Sequence, residues 1–423
     1  MFSKISDFIK KDTFRLFLIG IMLLFIYFFN NRYITKFNQF ELDDENVIAY
    51  TLDGVEGTGE FPKQNTGVEG TNVTCDNVVT ATWDNSLWSI KITDEATATR
   101  LKCKVAFKTQ ETKTISGITF NLNTFSPDFS KSACSNCESK EAGAFATEDN
   151  YGTSYYYRGS VENNYVSFAG MTWRIIRING DGTVRIILNG TTGTTAKFNS
   201  SYNNNAYIGY MYGDADSSTY NNTHANKNDS ILKQQLDLWY ENNLNTNYSS
   251  YLADSGFCGD RKPLTNGSTI GTGIVSSRYS GYGRVVTSTP SLKCIQSNDL
   301  YTTASSTTGN KALKYPVATI TADEVLMSGT SGGVFDGAWN YTKENTSYLN
   351  LNINYWTMTP TGGYIPYDNG NWLAHVFAVV ASGYIDDDFV GGSRGIRPVV
   401  NLKSDAIKYG TGTSSNPYRV TEN

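Results

Sequence analysis

Alternation of apolar and polar residues with period two dominates the first part of the chain. Leu101, Cys103, Val105 and Phe107 alternate with Lys102, Lys104 and Lys108, while Trp88, Ile90 and Ile92 alternate after a turn signal at Asp84-Asn85. That period marks half-buried strands, and closely spaced short strands predict a compact sandwich. Lys113 to Tyr151 shows no sustained period and reads as a linker. Strands resume with Tyr165 to Phe168, Met171 to Ile178 and Thr183 to Leu188, the last two flanking the hairpin signal Asn179-Gly180-Asp181-Gly182. Helical spacing is clearest from Asp229 to Leu244, where Leu232, Leu236 and Trp239 share a face and Asp229 or Asn228 caps the start. A shorter helix opens on the capping box Thr321-Ala322-Asp323-Glu324, with Gly329 just past its end.

One run is apolar without any period. Leu16 to Phe29 follows Lys4, Lys10, Lys11 and Arg15, and precedes Arg32, Lys36 and the acidic stretch Glu41 to Glu45. A membrane span needs about 17 to 25 residues; the run is shorter, but Arg15 and Arg32 can snorkel and extend it. No alanine occurs between Met1 and Val47, so the small-residue cleavage site of a signal peptide is missing. With the basic excess ahead of the run, the expectation is an uncleaved signal anchor, cytoplasmic at its start and extracellular beyond it. A buried core helix is the alternative. The expected organisation is a tail over 1–13, a transmembrane anchor over 14–33, a small all-β sandwich over 46–112, a linker over 113–150 and a terminal domain over 151–423. The fold class expected is α+β.

A chain of 423 residues accommodates two or three domains. Charged residues are only 18%, so its surface is hydrogen-bonding rather than ionic, and a net charge of −5 without a basic patch excludes nucleic acid as a partner. Six cysteines form an even set for an exported chain. Cys75 with Cys103 and Cys258 with Cys294 are plausible disulfides, each closing a loop of about 30 residues worth about 3 kcal/mol. Cys134 and Cys137 read as a local disulfide or two free thiols. Histidine is confined to His224 and His375, and no metal-ligand, phosphate-loop or dinucleotide motif occurs. No enzyme, cofactor or metal site is therefore expected. Asp386-Asp387-Asp388 is the densest carboxylate run, fit either for calcium or for a solvated loop tip.

The stretch Thr361 to Ser393 contains no Lys, Glu, Gln or Met. Tyr364, Tyr367, Trp372, Tyr384 and Phe389 supply aromatic bodies, and Asp368, Asn369, Asn371, Asp386 and Asp388 supply hydrogen bonds. That mixture is the composition of adaptable binding surfaces, so these ten residues form the expected ligand-binding set. The ordinary alternative is a polar β-meander with outward aromatics. Trp356 and Arg397 flank the stretch as fixed scaffold positions.

Four segments carry a family resemblance: MTWRIIRINGDG at Met171 to Gly182, ITADEVLMSG at Ile320 to Gly329, NYWTMTP at Asn354 to Pro360 and GIRPVV at Gly395 to Val400. Together they resemble the C-type-lectin fold in its formylglycine-generating-enzyme-like branch, over roughly Ser154 to Leu402. Similar tails occur in bacterial surface proteins and in the variable proteins of diversity-generating retroelements, whose mutable codons exclude Lys, Glu, Gln, Met and Trp. The resemblance implies a C-type-lectin-like terminal domain closed by a strand at Gly395 to Val400. It implies an adhesin-like protein that binds a protein or glycan at the cell surface. A structural envelope protein is the second reading, and an extracellular enzyme the third. The branch's C-terminal catalytic cysteines have no counterpart, since no cysteine follows Cys294.

Overall fold

The computed structural model describes residues 48–64, 66–76, 81–85, 87–92, 102–130, 133, 142–200, 203–330, 347–367 and 371–420. The alternating segments become strands of two compact units. One combines Met1–Phe61, Gly70–Trp83 and Ile90–Lys108; the other combines Pro62–Glu69, Asp84–Ser89 and Thr109–Asn423.

The first unit is built on one four-stranded sheet, ordered Val55–Glu56, Ile48–Leu52, Cys103–Thr109, Val68–Cys75. Ile48–Leu52 runs parallel to Cys103–Thr109, with Tyr50 opposite Val105 and Leu52 opposite Phe107. Val105 and Phe107 are buried as their alternation predicts. Phe61 and Trp83 both approach Phe107 edge-on, with centroids 5.3 Å away, the arrangement that ring quadrupoles favour. Room for Trp83 depends on Gly70, where a Cβ would lie 2.1 Å from the indole Cδ1. Cys75 and Cys103 form a disulfide with their Cα atoms 4.0 Å apart. Among the described residues a four-stranded sheet, with Ala81–Asp84 and Ser89–Ile92 as a separate pair, stands where a sandwich was expected.

The second unit holds an eleven-stranded sheet. Its path runs Leu252–Ala253, Val399–Leu402, Val184–Leu188, Met171–Ile178, Thr153–Arg158, Gly143–Glu148, Ile118–Leu122, Glu111–Ile115. Its last three strands come from the stretch expected to be a linker. Ile118, Phe120 and Leu122 bury one face of a short strand there, a period-two signal too brief to stand out against its polar neighbours. The hairpin signal at Asn179 to Gly182 does join Met171–Ile178 to Val184–Leu188. Val399–Leu402 closes the sheet by pairing with Val184–Leu188.

The capping box forms: Thr321 accepts from the Glu324 amide and Glu324 from the Thr321 amide at the start of Ala322–Met327. The other expected helix is Ile231–Tyr240, extended by a π-helical turn at Glu241–Asn245. Its cap is Ser230 rather than Asp229 or Asn228, with the hydroxyl accepting from the Lys233 amide. Cys258 and Cys294 form the second disulfide, with Cα atoms 5.5 Å apart. Cys134 and Cys137 lie outside the described residues.

Two expectations are corrected. Strands make up 39% and helices 13%, so the fold is mostly β and α+β describes it only loosely. The single-pass membrane anchor and the location drawn from it are not retained, because no helix among the described residues is long and apolar enough to cross a membrane. Leu16 to Phe29, the expected anchor, lies outside those residues.

A second sheet positions the candidate site. It is ordered Thr195–Lys197, Ser393–Gly395, Tyr355–Tyr367, Asn371–Val379, Ile385–Phe389, with Ser277–Arg278 also pairing with Tyr355–Tyr367. Trp356 anchors it: the ring is fully buried, stands edge-on to Phe198 at 5.8 Å, and its Nε1 donates to the Ala196 carbonyl at 2.8 Å. Replacing Trp356 with alanine removes that bond and leaves a large cavity, so urea unfolding should show a loss of about 3–5 kcal/mol. A loss under about 1 kcal/mol would contradict this packing.

Candidate functional site

The long hairpin Tyr355–Tyr367/Asn371–Val379 changes character along its length. Near its base it is hemmed in on both sides. Ile385–Phe389 pairs with it from Val379 to His375, and Ser277–Arg278 pairs with Gly363 and Gly362. Beyond those points Ile365, Pro366 and Tyr367 pair with Leu373, Trp372 and Asn371, and among the described residues no third strand flanks them. The hairpin therefore leaves its sheet as a two-stranded ribbon. Register shifts between Trp356 and Ile365 mark bulges, which twist and bend the strand where it departs.

The base of the ribbon is fixed by buried polar groups. Thr357, Thr359 and Thr361 are all buried, and Thr357 donates to the Phe377 carbonyl at 2.7 Å. Arg397 is fully buried over the Tyr355 ring, donating to the carbonyls of Leu188 at 3.1 Å and Leu349 at 2.8 Å. Trp356 and Arg397 thus both lie in the scaffold.

At the mouth of this base three donors converge on one carboxylate. Asp387 takes Thr361 Oγ1 at 2.6 Å and His375 Nδ1 at 2.9 Å on Oδ1, and Arg278 at 3.3 Å on Oδ2. Arg278 lies over the Tyr282 ring at 4.1 Å. Burial alone would raise the Asp387 carboxyl, yet His375, Thr361 and Arg278 hold it below its ordinary value. The cluster is a charged, preoriented platform at the root of the ribbon, where Thr361 and Gly362 meet Asp387 and Arg278.

The expected ligand-binding residues divide between these features. Tyr364, Tyr367, Asn371 and Trp372 belong to the ribbon strands, while Asp368 and Asn369 lie outside the described residues. Tyr384 and Phe389 are half-buried at the two ends of Ile385–Phe389. Strand alternation separates the acidic run: Asp386 and Asp388 share one face, whereas Asp387 and Phe389 share the other with His375. Asp388 is buried and paired with Arg394. Burial, with Asp388 and Asp387 adding to it, pushes Asp386 up to about 6. The run is an edge strand rather than a loop tip, and its negative charge discourages further strand pairing. Among the described residues no three His, Cys, Asp or Glu side chains converge as metal ligands.

Sequence reading missed Arg278 and Tyr282, and it named Asp387 only within the acidic run, His375 only as an isolated histidine and Thr361 only as the start of the stretch, without joining them. Arg278 and Asp387 are 109 positions apart, and no local spacing could join them.

A second polar cluster lies in a narrow cleft of the same unit, lined by Asp149, Arg177, Arg185, Asp260, Arg284, Asp323 and Glu324 among others. About 20 Å³ is open to the centre of a water molecule, which admits one or two waters and no larger ligand. Glu324 accepts from Arg185 at 2.8 Å and Arg177 at 3.1 Å, and Arg177 also binds Asp149 at 2.6 Å. Burial alone would raise the Glu324 carboxyl, but Arg185, Arg177 and the Thr321 amide outweigh it and bring it down to about 2.

Comparison with family models, with curated proteins and with solved structures finds no match.

The remaining histidine is a core group. His224 stacks on Tyr220 with centroids 4.2 Å apart, and its Nδ1 donates to the Tyr220 carbonyl at 2.9 Å. Its Nε2 is buried without a hydrogen-bond partner. Burial pulls the imidazole down to about 3, and Arg261 adds to the fall. The folded chain therefore takes up fewer protons than the unfolded chain between about pH 6.5 and 3, and stability drops as pH falls through that window. The contribution is at most about 1.4 kcal/mol per pH unit. Urea titrations across this range should give His224→Phe a shallower acid loss than the native chain; equal slopes would show that His224 is not buried neutral.

Proposed function

We propose that this is an exported recognition protein whose second unit binds a protein or glycan through the two-stranded ribbon and the platform at its base. The observation that carries the reading is the departure of the ribbon from its sheet just beyond the strand positions that meet the Asp387 cluster. Its strands carry Tyr364, Tyr367 and Trp372, large side chains that add contact area at low ordering cost, together with Asn371. A ribbon bonded on one edge only is a recurrent way to present side chains while a rigid sheet holds the root. Two disulfides, Cys75–Cys103 and Cys258–Cys294, support an oxidising compartment outside the cytosol.

The test is a screen of the purified chain against a glycan array and a panel of cell-surface proteins, repeated with Tyr367→Ala/Tyr384→Ala. Aromatic anchors of a binding face each contribute about 2 kcal/mol or more, so the variant should bind at least about 30-fold more weakly to whatever the native chain captures. Its thermal unfolding should stay within a few degrees. Binding that survives the double substitution unchanged would contradict the proposal.

A further inference from the structure

Two arginines of the second unit are buried against neutral acceptors alone. Arg397 is fully buried, and its Nε and Nη1 donate to the carbonyls of Leu188 and Leu349. Arg174 is 5% exposed and donates to Asn164 Oδ1 and the Val161 carbonyl, both at 2.6 Å. By contrast Arg177 and Arg185 are matched by Asp149 and Glu324, and Arg261 by Asp299. The carboxylates nearest the unmatched pair do not offset it. Glu162, which acts on Arg174, is exposed to water, and Glu324, which acts on Tyr348, is already held by Arg177 and Arg185.

Aromatic rings offset the charge only in part. Arg174 lies over Tyr165 at 3.8 Å and over Tyr348 at 5.2 Å, and Arg397 over Tyr355 at 4.7 Å. Three donors remain unmet: Arg397 Nη2, the Tyr348 hydroxyl and the Tyr157 hydroxyl are all buried without a hydrogen-bond partner. They belong to one neighbourhood. Tyr348 adjoins Leu349, the acceptor of Arg397, and its amide donates to the Gly159 carbonyl at 3.2 Å, close along the chain to Tyr157. Tyr348 also lies within electrostatic reach of Arg174, Arg397 and Tyr157. The Tyr355 hydroxyl beside Arg397 already donates to the Leu349 carbonyl at 3.4 Å. Burial pushes the Tyr157 and Tyr348 hydroxyls well up, so each keeps a proton to donate. Buried donors of this kind cost free energy unless something accepts from them.

We propose that Arg397, Tyr348 and Tyr157, together with the charge of Arg174, form a buried binding site for a halide ion such as chloride. A halide accepts from donors in any direction and sets one negative charge against the two guanidiniums. Water would accept from the same donors but leave the buried charge uncancelled. Sulfate or phosphate would bring several oxygens, more than these donors can meet. The inference does not depend on what the ribbon binds.

Urea unfolding of the full chain in sodium chloride, with sodium gluconate holding the ionic strength constant, tests the site. An ion bound only by the folded chain lowers the unfolding constant by up to about tenfold for each tenfold rise in chloride. Bromide should act likewise, and crystals grown in bromide should show its anomalous signal within hydrogen-bond reach of Arg397 Nη2. Tyr157→Phe/Tyr348→Phe keeps both rings, removes both hydroxyls and should lose most of the chloride dependence. In gluconate alone that variant should be no less stable than the native chain, because a buried hydroxyl with no acceptor contributes nothing favourable. A native chain equally stable in chloride and gluconate overturns the proposal and leaves water as the acceptor. So does a double variant that keeps the native chloride dependence, since the ion then binds elsewhere. If the variant fails to fold, the bromide signal decides, and its absence beside Arg397 overturns the site.

Discussion

Glu324 is the group on which the second unit's architecture depends. It completes the capping box of Ala322–Met327 with one oxygen and accepts Arg177 and Arg185 with the other. Those arginines come from two adjacent inner strands of the large sheet, and all three side chains are at most 6% exposed. Arg185 continues to Asn401 on the closing strand at 3.0 Å and to the Gly256 carbonyl. Helix, sheet centre, closing strand and loop are thus tied through a single buried carboxylate. Burying such a network without a full set of partners would cost several kcal/mol per charge, so its geometry is highly specified.

The consequence reaches the ribbon through covalent and hydrogen-bonded neighbours. Thr321 and Ala322 sit beside Thr359, whose hydroxyl accepts from the Ala322 amide at 2.9 Å, and the Met358 amide donates to the Ile320 carbonyl at 3.0 Å. The strand that becomes the ribbon is therefore stitched to the helix carrying Glu324. Such a root suits the proposed recognition role, because a ligand would meet side chains whose backbone is already ordered. The acidic edge strand and the Asp387 platform add charge at the mouth without loosening that root.

Much of the frame was legible in the sequence because its signals are local. The capping box, the Asn-Gly-Asp-Gly hairpin and both disulfide pairs follow from residues close together or of rare type. Gly180 in that hairpin shows how tight the local rule is. A Cβ there would lie 2.4 Å from the Gly152 amide nitrogen and 2.7 Å from Asp149 Oδ1. The strands at Glu111–Ile115 and Ile118–Leu122 were read as linker because each shows barely two periods. The helix Ser280–Thr287 escaped notice because Gly281 and Gly283 lower its propensity; packing against Thr359 and Asp260, where no Cβ fits beside Gly281, favours glycine there. Lys233 on the helix Ile231–Tyr240 is buried between Asp229 and Asp237, a placement that the helical spacing alone does not show. The platform of Arg278, Thr361, His375 and Asp387 was illegible, since only the tertiary fold assembles it.

The most direct measurement is a double-mutant cycle between Glu324 and Arg185, using Glu324→Gln, Arg185→Met and the pair, read by urea unfolding. Each single change should cost about 3–5 kcal/mol because it strands the partner's buried charge. The pair should cost clearly less than their sum, giving a coupling of about 2 kcal/mol or more. Additivity within about 0.5 kcal/mol would show that the two groups do not act together, and that the second unit is organised around some other contact.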